Sequence, residues 1–303
     1  HEDLLAVVDE TLAYFDEPFG DSSAIPSMMV AKKAREKVTV VLTGDCADEL
    51  FGGYEKYLGK YYADKYNSYP SFLKTIFEKG VQWIPHNNYT NHTLRKVKKV
   101  MKSAALTLEK RYLSLSSLGF QNIEKNKLLN DSFQHDVSDE ILKHFNALEI
   151  SDELMQTFYS DINLVLEGDM LAKVDRACMI NSLEARVPFL DSKIVDFSFK
   201  LPHEFKIQGS NKKRILKDTF ADLLPEETMK YRKKGFGIPI RLWFQNELKT
   251  ELLDLLNKEL LQLQNIFNLE YIQKLIDEHM SNQENHASKL WQLYVFQKWY
   301  NKN

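Results

Sequence analysis

Apolar residues recur at helical spacing from the start of the chain. Leu4, Leu5, Val7, Val8, Leu12 and Phe15 share one face, and Asp16-Glu17-Pro18 stops the pattern. After the polar loop Gly20-Asp21-Ser22-Ser23, Pro26 can open a second helix through Arg35, because a proline in the first turn forfeits no intrahelical bond. The run Val38-Thr39-Val40-Val41-Leu42 then breaks the period. It is β-branched and apolar on both faces, which predicts a short strand buried on both sides of a parallel sheet. From Tyr57 onward strand signals nearly vanish. Helical patterns cover Phe72–Trp83, Leu94–Tyr112, Ile141–Phe145, Leu154–Ile180, Leu252–Leu263, Tyr271–Met280 and Ser288–Trp299, with no internal repeat and no low-complexity linker. Residues 1–60 thus read as half of an open α/β sheet, whose ligands bind beyond the carboxyl ends of the strands, and 61–303 as a helical region. A sheet needs several strands, and this chain supplies few. The expected fold is α/β, predominantly helical in this part, with further strands upstream of His1.

With 303 residues, 44% of them hydrophobic, the chain can bury a substantial core. A formal charge of -3 gives no global field for nucleic acid or an anionic membrane, so any anion site must be local. The basic stretch Leu94-Arg95-Lys96-Val97-Lys98-Lys99-Val100 fits an amphipathic helix with a wet basic side better than an RNA surface. The two cysteines, Cys46 and Cys178, form neither a disulfide framework nor a zinc spacing, which points to a reducing cytoplasm. No apolar run approaches the roughly 20 residues of a membrane span. None of the eight histidines falls in an H-E-x-x-H pattern, and Asp277-Glu278-His279 has no second ligand set beside it, so zinc is not expected. The absence of an initiator Met at His1 suggests a piece of a longer protein.

The strand run leads directly into Leu42-Thr43-Gly44-Asp45-Cys46-Ala47-Asp48-Glu49-Leu50-Phe51-Gly52-Gly53-Tyr54, with three carboxylates in five positions. Asp45, Asp48 and Glu49 fall at i, i+3 and i+4, one face of a helix starting near Asp45. Capping and complementing the helix dipole would account for each singly. Together, carboxylates ~5.5 Å apart repel by about 3 kcal/mol at an effective dielectric near 20. A hard divalent cation relieves that repulsion, and Mg²⁺ takes one or two carboxylates plus substrate phosphate oxygens. Bound Mg²⁺ and polyphosphate are therefore the chemistry this turn fits.

The segment Thr43 to Tyr54 resembles the S-G-[DE]-G-x-D-E-L-F-G-G-Y signature in the synthetase domain of glutamine-hydrolysing asparagine synthetases. Asp16-Glu17-Pro18-Phe19 through Ser22-Ser23-Ala24-Ile25-Pro26 is similar to the D-E-P-F-x-D-S-S-x-I-P element before it. The likeness continues through Asp169-Met170-Leu171-Ala172-Lys173-Val174-Asp175-Arg176, Glu184-Ala185-Arg186-Val187-Pro188-Phe189-Leu190-Asp191, Lys234-Gly235-Phe236-Gly237-Ile238-Pro239 and the His286 to Trp299 helix. The resemblance implies an ATP pyrophosphatase fold of the adenine nucleotide alpha hydrolase type, with 1–60 as the end of its nucleotide-binding core. It also implies an activity: aspartate attacks the α-phosphate of ATP, giving a β-aspartyl-adenylate and pyrophosphate, and ammonia drawn from glutamine displaces AMP. Thr43 and Gly44 would contact the nucleotide, Asp45 would serve formation and amination of the adenylate, and Asp48 would bind Mg²⁺-pyrophosphate. Lys234, closing the basic run Lys230-Tyr231-Arg232-Lys233-Lys234 before a flexible glycine pair, would face the charge that develops in adenylation. Glu49 is a weaker candidate. Asp169, Lys173 and Arg176, an ordinary surface ion-pair spacing by themselves, would brace the wall of the site together with Glu184, Arg186 and Asp191; Lys213 is a comparable case and not a catalytic candidate. The resemblance is compatible with a homodimer.

Several features depart from the family pattern. The S-G-G-x-D-S phosphate loop and the glutaminase half with its N-terminal cysteine are not in this sequence, so the chain is expected to be inactive alone. Cys46 stands where the family usually has glycine, and is strained if that position needs φ > 0. Thr43 keeps the hydroxyl of the commoner serine. The Gly20 to Pro26 loop lacks an arginine that some members use for the substrate carboxylate, which leaves open a relative that adenylates another acid, or a helical scaffold without catalysis.

Overall fold

The computed structural model describes residues 2–75, 101, 103–104, 106–135, 138–147, 151–227 and 235–302. The N-terminal apolar stripe forms two helices, α1 (Glu2–Ala6) and α2 (Val8–Tyr14), separated at Val7, followed by α3 (Ala24–Arg35), which carries Pro26 in its first turn. The strand β1 (Val40–Leu42) leads through the acidic turn into α4 (Ala47–Phe51) and α5 (Gly59–Asn67). The helical patterns around Phe72–Trp83 and Leu94–Tyr112 fall largely outside the described residues. Of the second, the structure shows a break at Thr107, whose extended backbone starts α6 (Leu108–Ser116) afresh. Helices α7 (Asn122–Leu128) and α8 (Ser138–Asn146) follow.

The expected Leu154–Ile180 helix is continuous, but its middle is wider than an α-helix. α9 (Glu153–Asp161) runs into a π-helical segment, Ile162–Leu171, and then α10 (Ala172–Ile180). β2 (Glu184–Arg186) pairs in parallel with β1, Val41 opposite Ala185. After α11 (Ser192–Lys200) and α12 (His203–Lys206) comes a small hairpin, β3 (Ile207–Gln208) and β4 (Asn211–Lys212), then α13 (Arg214–Thr219). The expected Leu252–Leu263 helix splits in two. After α14 (Ile240–Gln245), Asn257 turns the chain between α15 (Lys249–Leu255) and α16 (Lys258–Gln264) and caps α16 by accepting from Leu260 N at 2.8 Å. α17 (Leu269–Met280) and α18 (Ala287–Tyr300) complete the chain.

The largest core surrounds α18. Leu290, Trp291, Leu293, Tyr294 and Val295 are buried against Phe244 and Trp243 of α14, Leu252 of α15 and Ile272, Leu275 and Ile276 of α17, with Val7, Val8 and Ile25 closing one side. A helix apolar on every face has to sit inside a core. A second cluster, Tyr57, Leu58, Met155, Phe158 and Ile207, joins α9 to the hairpin, and a third, Cys46, Leu50, Phe51 and Leu166, holds α4 against the π segment.

β1 departs from expectation. It is shorter than Val38–Leu42, and it is not buried on both faces. Val41 points inward onto Ala31, Cys178 and Leu183, whereas Val40 and Leu42 are 48% and 75% exposed. The cause is the size of the sheet: among the described residues β1 has one partner, and its outward face has no covering layer.

Candidate active site

The acidic turn leaves the carboxyl end of β1, held to β2 by the bond from Thr43 N to Arg186 O at 2.9 Å. Its geometry differs from three carboxylates on one helical face. Cys46 adopts φ 69°, the left-handed region, so α4 starts at Ala47 and Asp45 lies outside it. That conformation costs a residue other than glycine about 1–2 kcal/mol. The Cys46 side chain recovers part of this by packing against Leu50, Phe51 and Leu166. Burial, with Glu49 and Asp45 nearby, pushes its thiol up to about 12, so it remains protonated and is no nucleophile.

Glu49 turns inward. It is 1% exposed and accepts from Tyr54 Oη at 2.6 Å, and burial raises its carboxyl above the usual range. Asp48 is half-buried over Gly53, and Lys213 Nζ lies 2.8 Å from its shielded Oδ1. The glycine pair makes that approach physically feasible. Gly52, at φ 74°, ends α4 and lies against Ile207 and Phe158, and a Cβ on Gly53 would run into the Asp48 carboxylate and Lys213 Cε. Thr43 Oγ1 is buried without a hydrogen-bond partner, and the space around Gly44 is open, with nothing within 4 Å of where a Cβ would stand.

The structure thus gathers Thr43, Gly44, Asp45 and Asp48 at one strand end and adds Lys213, which the sequence reading set aside. Lys213 is in the left-handed region, φ 52°, directly after the hairpin, and Lys212 pairs with Glu55 at 2.6 Å. Strain of this kind persists only where the surroundings impose it, and it concentrates at functional sites. The sequence placed Lys213 only among the residues bracing the wall, and nothing local marked its left-handed backbone or its pairing with Asp48. Lys234 lies outside the described residues. The Asp48 carboxylate and the orphaned Thr43 hydroxyl offer oxygen ligands to a hard cation, and the Lys213 ammonium beside Asp48 suits phosphate oxygens rather than the cation, so the residues present fit Mg²⁺ carried on a polyphosphate.

The expected surface ion pair within Asp169, Lys173 and Arg176 is not what forms. Lys173 is buried and reaches Asp21 Oδ2 at 2.7 Å and Ser23 Oγ at 2.8 Å, tying α10 to the loop before α3, while Arg176 pairs with Asp16 at 2.7 Å. Asp191 is a helix cap, accepting from Lys193 N at 2.9 Å, and Glu184 and Arg186 pair with each other on exposed strand positions. Burial and the neighbouring Asp21 push the Asp169 carboxyl up to about 7; burial also works against charge on Asp21, but Lys173 holds it below the usual range. One proton is therefore shared across the pair. Asp169 keeps its proton when folded at pH values where the unfolded side chain has lost it, so the folded state binds more protons between about 4 and 7 and stability falls as pH rises through that window. Asp169→Asn is expected to flatten this fall, read as the difference in Tm between pH 5 and pH 8; an unchanged difference would contradict the pairing.

A buried polar chain runs beside the turn. Asp161, just before the π segment, accepts from Lys56 Nζ at 2.6 Å and Tyr112 Oη at 2.7 Å. Farther away, the second ligand set absent beside Asp277-Glu278-His279 in sequence exists in space, since Glu278, Glu284 and His286 offer atoms within 4.8 Å of one another. The contact made there is a hydrogen bond between His286 Nε2 and Glu278 Oε2 at 2.7 Å, closing the turn between α17 and α18.

The asparagine synthase family model matches residues 1–301, and the chain belongs to that family. It is 28% identical over 302 residues to asparagine synthetase [glutamine-hydrolyzing] 1 of Bacillus subtilis, covering 100% of this chain and 46% of that protein. It is 28% identical over 305 residues to a putative asparagine synthetase [glutamine-hydrolyzing] of Mycobacterium bovis, covering 99% and 45%. A more distant relative, the amidase chry2 of Gibberella zeae, is 22% identical over 292 residues, 89% of this chain and 42% of that protein. The chain therefore spans a little under half the length of these curated relatives. No helix among the described residues is long and apolar enough to cross a membrane.

Proposed function

We propose that this chain carries part of the ATP site of an amide-forming ligase of the adenine nucleotide alpha hydrolase fold, which activates a carboxylic acid as its adenylate and passes it to ammonia. The observation that carries this reading is the Asp48–Lys213 pair in the turn that follows Thr43 at the carboxyl end of a parallel strand. Thr43 and Gly44 would contact the nucleotide, Asp48 would hold Mg²⁺, and Lys213 and Lys234 would take up charge on the departing pyrophosphate. Bound Mg²⁺ would neutralise phosphate charge and polarise the bond that breaks. The acid's oxygen forms a bond to the α-phosphorus as the bond to pyrophosphate breaks; ammonia then adds to the acyl carbon, AMP leaves and a proton is lost to solvent. Asp45, which precedes the helix, would orient the acyl group. Aspartate, giving asparagine, is the acceptor that the family name favours, with glutamine as the ammonia source in the whole protein. A second reading, the same chemistry on a different acid, is kept because one relative bears a name other than asparagine synthetase.

The test is pyrophosphate release from ATP, Mg²⁺ and ammonia over a panel of acids, with ¹⁸O in the carboxylate. The whole protein is expected to transfer one ¹⁸O to AMP with aspartate; label that stays out of AMP for every acid would refute adenylation. The chain by itself, which has no S-G-G-x-D-S sequence, is expected to release none.

A further inference from the structure

Lys206 is the end of α12, and its side chain is 0% exposed. Its Nζ has no hydrogen-bond partner and lies 4.7 Å from the ring centre of Phe158 on α9 and 5.3 Å from that of Phe199 on α11. An ammonium in such a place has left water for two aromatic faces, and a methionine of similar length would fill the space without that penalty. Burial pushes the amine down to about 8, partly offset by Asp152. Among the charged groups on the surrounding elements, Asp152 is the one whose field reaches it. Asp152 itself is hydrogen-bonded to His203 Nδ1 at 2.5 Å; Asp161 at the far end of α9 pairs with Lys56, Glu153 pairs with Lys60, Glu204 lies beside His203, Arg214 pairs with Asp218, and Asp196 and Lys200 are exposed.

The next residue shows what the arrangement holds. Ile207 opens β3 and fills the space over Gly52, touching α4 at its end; the hairpin then returns through Lys212 to Lys213 and Asp48. We propose that Lys206 is a positioning residue: its ammonium, held between Phe158 and Phe199, seats the β3–β4 hairpin on α9 and so sets where Lys213 meets Asp48. The inference rests on Asp48 and Lys213 belonging to one site.

The test is an NMR titration of the complete protein, with ¹³Cε-labelled lysine and no ligand added, so that it stands apart from any assay of adenylation. Lys206 is expected to titrate near pH 8, and the Lys213 signal to show an inflection at the same midpoint. In Lys206→Met that inflection is lost although the variant melts at a higher temperature at pH 7, an outcome that a purely structural role would not give. Should Lys206→Met not fold, Phe199→Leu, which removes one ring, is expected to lower the Lys206 midpoint. A Lys206 midpoint near 10.4, a Lys213 signal that passes through pH 8 unaffected, or a midpoint unmoved by Phe199→Leu would overturn the proposal.

Discussion

Replacing Asp48 by Asn in the complete protein is expected to lower kcat/KM for pyrophosphate release by about 10²–10³-fold, the loss typical when one preorganised electrostatic contact to a reacting group is removed. The amide keeps the shape of the side chain and its fit over Gly53, but it no longer offers a charged oxygen to Mg²⁺. The fold should hardly notice. The Asp48 and Lys213 side chains retain 20% and 32% exposure, and a pair so placed contributes about 0–1 kcal/mol to stability. A variant with normal melting and lost Mg²⁺-dependent turnover is the expected outcome. Normal turnover would instead favour a scaffold that keeps the acidic turn for its shape.

Asp161→Ala should have the opposite signature, a large loss of stability wherever activity ends up. Asp161 is 0% exposed and is the shared acceptor for Lys56 and Tyr112. Its removal leaves a mostly buried ammonium and a buried hydroxyl without their anion, and breaking a buried pair from one side costs about 3–5 kcal/mol. Against a total of roughly 5–15 kcal/mol, that is a large fraction of the fold's stability. Urea unfolding measures it. Changing both members, Asp161→Leu with Lys56→Met, should recover much of the loss, because no uncompensated charge remains. A single variant that unfolds within about 1 kcal/mol of the parent would mean that the network is far more hydrated than its burial indicates.

How much of this was legible before the structure depended on whether the governing contacts were local. The helices of Leu154–Ile180, Tyr271–Met280 and Ser288–Trp299 follow from their apolar spacing, and a strand ending at Leu42 from its β-branched run, though the strand covers only Val40–Leu42 and is exposed on one face. The π geometry around Gly168-Asp169 leaves the apolar pattern intact and so gave no warning. β2 is three residues, Glu184-Ala185-Arg186, with charged side chains outward; its only mark as a strand is its partner, which lies far off in sequence. Within the acidic turn, residue types and order were readable, and Cys46 in a glycine position pointed to the strain that the structure shows. The positions of the carboxylates were not readable, because one left-handed residue moves the start of α4 past Asp45 and sends Glu49 into the core toward Tyr54. Lys213 went unrecognised for a different reason: its pairing with Asp48 depends on the hairpin before it and on the close packing at Gly53.

The central claim is that Asp48, with Lys213 beside it, grips a magnesium-bound diphosphate. The most direct measurement is a crystal structure of the complete protein with Mg²⁺ and a non-hydrolysable ATP analogue. It should show a metal ion bound to the Asp48 carboxylate and a β- or γ-phosphate oxygen, with Lys213 Nζ turned from Asp48 onto the phosphates. A bound nucleotide whose phosphates lie elsewhere, with Lys213 still on Asp48, would contradict the account.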